Sequence, residues 1–239
     1  KVRNLVGSSE EQTITELTVE EQSTGELSIG LGYSSLEQTS LAFGIDERNF
    51  LGTGRALSLS FDFSQKRSNF RLGVAEPHLF GRNLNGRFGV FNDQVKQGSV
   101  SINKTGFDFG FGFEAAQDYY HNVTYDLSQS KTTESSTTAT SITGENGAQI
   151  LTSAASYVVG QDRLDNRLDP SEGTLFELRQ ELAGIGGDAK FYKVTGRAAY
   201  YRPVNFNALF FGVKGRASQV VGLGQKVTQS QRFFLGGRD

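Results

Sequence analysis

Every second residue is apolar along most of this chain, and that alternation constrains the fold more than any other feature. Leu27, Ile29, Leu31 and Tyr33 alternate with Ser28, Gly30, Gly32 and Ser34. Leu57, Leu59, Phe61 and Phe63 alternate with Ser58, Ser60, Asp62 and Ser64, and Phe107, Phe109, Phe111 and Phe113 with Asp108, Gly110, Gly112 and Glu114. Shorter runs of the same kind hold Leu41, Phe43 and Ile45, then Phe176, Leu178 and Leu182, then Phe211 and Val213. Side chains of a strand point to opposite faces in turn, so each run has one apolar face and one small or polar face. No segment carries a helical stripe. About eleven strands are predicted, near 26–36, 38–47, 55–65, 69–76, 86–95, 105–114, 118–130, 150–163, 173–183, 189–203 and 208–221. Sequential strands lie close together, which favours antiparallel up-and-down pairing.

Two all-β architectures fit: a transmembrane barrel and a soluble β-sandwich with one long polar loop. No run of about 18 apolar residues exists for a membrane helix, but membrane strands need only about ten alternating residues. Connections differ in character. Asn49-Phe50-Leu51-Gly52-Thr53-Gly54 and Asp169-Pro170-Ser171-Glu172-Gly173 read as tight turns, whereas residues 128–143 carry 11 Ser or Thr and read as a polar loop. Tight turns at one end and longer polar loops at the other are an outer-membrane pattern. The repeated apolar face opposite Gly, Ser, Asp or Arg favours the barrel. Phe50, Phe80, Tyr119, Tyr120, Tyr200, Tyr201, Phe206 and Phe210 lie near predicted strand ends and fit girdles at the membrane interfaces.

Chemistry is sparse. The chain has no Cys and only His78 and His121, which removes disulfides, thiolate chemistry and His-rich metal sites. With 24 basic and 26 acidic residues it lacks the basic excess of a nucleic-acid binder. Nucleotide-cradle, zinc-protease and serine-hydrolase motifs are missing, so no enzyme is expected and no cofactor. His121, beside Tyr119 and Tyr120, reads as a girdle or surface histidine, and His78 as a turn residue. Asp162, Asp165, Asp169 and Glu172 cluster around a turn, but Arg163 and Arg167 among them point to local ion pairing rather than a calcium loop. The sequons at Asn103 and Asn122 are assigned no role.

Residues 1–24 differ from the rest. Ile14-Thr15-Glu16-Leu17-Thr18-Val19-Glu20-Glu21 is a strand-like acidic run, broken by Gln22-Ser23-Thr24-Gly25. The run reads as the last strand of a preceding soluble domain plus a linker. The chain opens on Lys1, with no apolar leader, and reads as a piece of something longer.

Several segments in order carry a family resemblance: Asn49–Gly54, Glu76-Pro77-His78-Leu79-Phe80-Gly81, Asp169–Gly173, Tyr192-Lys193-Val194 and Arg232-Phe233-Phe234-Leu235-Gly236-Gly237. Together, over most of the chain, they resemble the BamA-type outer-membrane assembly factors, a superfamily that joins POTRA domains to a barrel insertase. The resemblance implies an antiparallel up-and-down transmembrane β-barrel of sixteen strands, of which this chain holds about eleven. On that basis residues 1–24 end a POTRA domain and its linker, and 25–239 form the N-terminal part of the barrel up to the start of the sixth extracellular loop. That loop's Arg-Gly-Phe tripeptide is expected soon after Gly237. The implied function is insertion of client barrel proteins at a lateral seam, where the first strand templates a client strand; in this chain Leu27, Ser28, Ile29, Gly30, Leu31, Gly32 and Tyr33 form that strand. Implied partners are client outer-membrane proteins, accessory lipoproteins acting through POTRA domains, periplasmic chaperones and the lipid bilayer, and the implied location is the bacterial outer membrane. A related POTRA-barrel translocator, of the TamA-like or two-partner secretion type, and a passive porin are the alternatives. Gly30 and Gly32 either weaken the first strand's packing and let another backbone approach closely, or serve ordinary barrel curvature or room for an interior loop.

Overall fold

The computed structural model describes residues 2–6, 13–18, 23–35, 38–134, 147–204 and 209–233. Val19–Gln22, residues 135–143 of the Ser/Thr run, Phe206 and the Phe234–Gly237 motif lie outside the described residues. The described residues form two sheets. β1 (Val2–Val6) and β2 (Thr13–Leu17) form an antiparallel hairpin sheet. The strand expected at 14–21 is thus real at its start, and its partner β1 went unforeseen because Val2-Arg3-Asn4-Leu5-Val6 does not alternate.

The second sheet has eleven antiparallel strands in strict sequence order. They are β3 (Gly25–Ser34), β4 (Gln38–Glu47), β5 (Ala56–Ser64), β6 (Arg67–Glu76), β7 (Asn85–Gln97), β8 (Val100–Ala116), β9 (Tyr119–Glu134), β10 (Gln149–Asp162), β11 (Gly173–Ala183), β12 (Phe191–Val204) and β13 (Leu209–Gly222). All eleven strands read from the alternation are there. The sheet is curved and open, an incomplete barrel: among the described residues β3 pairs only with β4 and β13 only with β12.

Cross-strand register sorts the side chains into two faces. Leu27, Phe43, Phe61, Phe70, Val90, Phe107 and Leu127 share the outer face, and Ser28, Ser60, Arg71, Asp108 and Thr124 the inner one. The outer face leaves large apolar groups uncovered, among them Leu27, Ile29, Phe63, Phe109, Phe176 and Phe211. The inner face carries ion pairs instead: Arg71–Asp108 at 3.0 Å, Lys104–Asp126 at 3.3 Å and Arg197–Glu177 at 3.1 Å. A soluble sandwich would bury its apolar face against a second sheet; here the apolar face looks outward and the polar face lines a concavity of about 1570 Å³.

Glycine makes the bend between β8 and β9 possible. A Cβ on Gly106 would come within 2.5 Å of the Leu127 carbonyl oxygen, and one on Gly110 within 2.6 Å of the Val123 carbonyl oxygen. The Phe residues between them stay on the outer face, so one strand supplies both the curvature and the apolar surface.

Connection lengths depart from the sequence reading. Among the described residues, 65–66 and 98–99 at one end are two-residue turns and 184–190 has seven residues; at the other end, the motif-bearing connections 48–55, 77–84 and 163–172 are built, hydrogen-bonded turns. The Ser/Thr run is also not wholly a loop. Ser128, Ser130 and Thr132 belong to β9 and are buried on the inner face. The chain after β13 covers that region: Ser230 bonds Ser130 at 3.3 Å, and Gln231 accepts from Lys193 at 3.0 Å. Beside it, Ala154, Ala183, Ala189 and Phe191 make a small apolar core.

Candidate functional site

β3 is the first strand of the large sheet and, among the described residues, has a free edge. Its register with β4 is regular from Gly25↔Glu47 to Ser34↔Gln38. One residue earlier, the Arg48 amide donates to the Thr24 carbonyl at 3.3 Å, which makes Thr24 and Arg48 a hydrogen-bonded pair. Bonded and non-bonded pairs alternate along an antiparallel ladder. Ser28, Gly30 and Gly32 therefore bond to β4, while Leu27, Ile29, Leu31 and Tyr33 turn their amides and carbonyls to the open edge. The same four residues place their side chains on the outer face, with Leu31 80% and Tyr33 81% exposed. All seven residues singled out in the sequence are thus on one edge strand, and the two backbone directions divide them four to three.

The glycines of β3 are not forced by contacts within the sheet. A Cβ on Gly30 would meet only the Ala42 methyl, at an ordinary 3.6 Å, and one on Gly32 would press on the Ser40 hydroxyl at 2.8 Å. This contrasts with Gly106 and Gly110, where backbone blocks the space. Curvature explains the β8 glycines; it does not explain Gly30.

A polar row crosses the concave face lower down. The Tyr120 ring lies over Gly160, whose Cβ would fall 2.3 Å from it, and its hydroxyl donates to Glu177 at 2.9 Å. Arg197 donates to the same Glu177 oxygen at 3.1 Å, and Arg216 sits directly across from Arg197. Sequence reasoning missed this row, because its members come from β9, β11, β12 and β13, and only register brings them together.

The aromatic candidates split. Tyr119 and Tyr200 stay on the outer face near the strand ends, but Tyr120 and Tyr201 face inward, as neighbours in a strand must. Phe210 also falls on the inner parity, against Tyr201. His121 stacks on Phe113 at 5.1 Å, and its Nδ1 lies 2.6 Å from the Tyr157 hydroxyl, all on the outer face. His78 starts a turn, its amide donating to Glu76.

The acidic turn is a set of local pairs, as Arg163 and Arg167 suggested. Arg167 meets Asp162 at 2.6 Å and Arg163 meets Asp118 at 3.2 Å. Asp165 accepts from the Ser171 hydroxyl and from the amides of Glu172 and Ser171. Those bonds hold its carboxyl at about 2, well below the usual carboxylate range.

Comparison with known proteins gives this geometry a family. The Omp85 superfamily domain matches residues 49–239. The outer membrane protein assembly factor BamA of Nitratidesulfovibrio vulgaris is 28% identical over 233 residues, 96% of this chain and 29% of that protein. BamA of Neorickettsia risticii is 28% identical over 227 residues, 93% of this chain and 31% of that protein. A mouse sorting and assembly machinery component 50 homolog is 24% identical over 202 residues, 83% of this chain and 43% of its own length. The crystal structure of Haemophilus ducreyi BamA lacking POTRA domains 1-3 superposes with a TM-score of 0.81 at 19% identity, covering 99% of this chain and 49% of that one. At that identity the superposition speaks for the fold alone. The chain spans under a third of the two bacterial relatives. The superfamily match covers most of the chain, the fold agrees, and the turn motifs stand in the expected order: this chain belongs to the Omp85 superfamily.

Proposed function

We propose that this chain is the N-terminal part of the barrel of an outer-membrane assembly factor, residues 25–239, preceded by the end of a POTRA domain and its linker in residues 1–24. In this reading the apolar outer face sits in the bacterial outer membrane. β3 templates the strands of client barrel proteins by β-augmentation, in which an incoming strand hydrogen-bonds to a sheet edge. No covalent step, metal or cofactor takes part, so the protein is not an enzyme. Accessory lipoproteins and periplasmic chaperones deliver clients through the POTRA side.

The observation that carries the reading is the ladder direction of β3, whose Ile29 and Leu31 amides point away from β4. An incoming strand would find a donor every second residue, and its own folding would supply the driving force. Gly30 adds no bulk on the inner side to hinder a second backbone.

Proline tests the edge directly, since it removes one N–H and is tolerated at sheet edges. Ile29→Pro combined with Leu31→Pro leaves the β3–β4 bonds in place and removes two open-edge donors. The expected outcome is a normally inserted protein that no longer assembles clients into vesicles. Gly30→Pro, which removes a donor to β4, is expected instead to loosen β3 itself. Full client assembly by the double proline variant would end the templating role.

A further inference from the structure

Twice in the large sheet a tyrosine covers a glycine on the neighbouring strand. Tyr120 of β9 pairs with Gly160 of β10, and a Cβ on Gly160 would collide with the ring. Tyr201 of β12 pairs with Gly212 of β13, where a Cβ would fall 2.7 Å from the ring. Both pairs lie on the inner face. The Leu223 amide donates to the Lys190 carbonyl at 3.0 Å, so alternation along the ladder makes Tyr201 and Gly212 a non-bonded pair, the kind whose side chains stand closest. Other inner glycines are covered in their own ways: Gly44 by the Ser28 hydroxyl, Gly73 by the Ser58 hydroxyl, Gly89 by the Asp108 carboxylate and Gly106 by the Leu127 carbonyl. Among the described inner glycines of the sheet, Gly30 alone would place a Cβ in ordinary contact, 3.6 Å from the Ala42 methyl. Toward β4 only that methyl borders the space above it.

We infer that Gly30 is the receiving site for an aromatic ring of the client: the strand that pairs with β3 carries Phe or Tyr at the inward position across from Gly30, and the ring lies over the glycine. The assignment rests on β3 as the templating strand. Gly30 bonds to β4, so a strand on its far side meets it as a non-bonded pair, as Tyr201 meets Gly212. A ring laid over Gly30 would end on the Ala42 methyl, which suits Phe as well as Tyr, whereas the Tyr120 hydroxyl goes on to Glu177. Such a ring restores the packing that a strand glycine gives up, and it pins the register. A slip of one residue is already forbidden, because it would turn the client's apolar face inward. A slip of two keeps both the faces and the open-edge donors, so the backbone of β3 cannot reject it. The ring can: two residues on, it would meet Gly32, where the Ser40 hydroxyl already stands 2.8 Å from a Cβ position, and two residues back it would meet the Ser28 side chain.

The chain has no cysteine, so the client's register can be read by disulfide formation. Ser28→Cys is made in the longest gene product carrying these residues, with any cysteine outside them replaced by Ser, and the protein is reconstituted in phosphatidylethanolamine–phosphatidylglycerol vesicles. The probe is a small client barrel with single cysteines at the inward positions of its first and last strands. The position that crosslinks to residue 28 fixes which client residue faces Gly30. That residue is expected to be Phe or Tyr, and changing it to Gly should slow assembly about two- to fivefold, the worth of one cross-strand pair. Gly30→Ala, which the sheet accommodates, should slow the native client by a similar factor and leave the glycine client unaffected. Gly30→Tyr should slow the native client and regain the rate with the glycine client, since ring and glycine have then changed strands. A defect in β3 itself would slow both clients alike. A crosslink that puts a non-aromatic residue across from Gly30, or equal slowing of both clients by Gly30→Ala while the crosslink still forms, overturns the ring assignment alone. No crosslink from any client position overturns the templating reading itself.

Discussion

Adding one methyl group at Gly110 and one at Gly30 should give opposite results, although both glycines face the inner side of the same sheet. At Gly110 the new Cβ would sit 2.6 Å from the Val123 carbonyl oxygen, 2.9 Å from the Thr124 hydroxyl and 3.2 Å from the Thr124 Cα. Two of those three atoms are backbone, so β8 and β9 must move apart. Overpacking of this kind costs about 1–3 kcal/mol. The alanine regains about 0.5–1 kcal/mol from the lost backbone freedom of glycine. The net loss is about 0–2.5 kcal/mol, centred near 1 kcal/mol, a fall of roughly 0.5 M in the urea midpoint for a slope near 2 kcal/mol/M. At Gly30 the only neighbour is the Ala42 methyl at 3.6 Å, so Gly30→Ala should leave the midpoint unchanged or raise it slightly. The assay is urea unfolding of the vesicle-reconstituted protein, followed by the far-ultraviolet circular dichroism of the sheet. Equal midpoints for the two variants would refute the argument that β8 glycines are there for curvature and the β3 glycine is not. A Gly30→Ala protein that is stable but slow in client assembly would further separate the edge role of β3 from its packing.

Asp165 predicts a pH response in the turn at 163–172. Its folded pKa, about 2, lies below the ordinary 3.8, so its contribution is complete above pH ~4 and fades as pH falls through ~2. Amide exchange at Ser171 and Glu172 should stay slow to about pH 3 and speed up below it, and Asp165→Ala should remove the protection at every pH. Exchange that does not change across this range would refute the assignment. Glu177→Gln and Tyr120→Phe should each lower stability by about 1 kcal/mol, since each weakens a bond in the row that joins β9, β11 and β12. Measured together by urea unfolding they should lose less than the sum, because both act on the same Tyr120–Glu177 bond at 2.9 Å. Strict additivity would mean that the two side chains act independently.

The alternation alone determined most of the architecture. A strand with Phe on one side and Gly, Ser or Asp on the other can satisfy its backbone only in a sheet, and eleven such strands close together in sequence pair with their neighbours. Each observed strand begins within a few residues of its predicted place. The largest errors are in the longest strands: β8 begins at Val100 rather than near 105, and β9 runs on to Glu134 rather than ending near 130. There the outer side chains turn polar, as at Asn103, Gln129 and Thr133, while the hydrogen-bonded ladder continues. Alternation marks a strand only where one face meets an apolar surrounding, so it loses the strand where both faces are polar.

What the tertiary structure decided depends on contacts between distant residues. The sequence marks β3 as the first barrel strand, but the directions of its amides follow from its register with β4 and the Arg48–Thr24 bond. Tyr119 and Tyr120 stand side by side in the sequence; pairing sends one to the outer face and the other over Gly160 to Glu177. Gly30 and Gly110 look alike in the alternation and differ only in what stands across from them. Period and composition are local properties and survive in the sequence, whereas register and curvature arise when the chain meets itself.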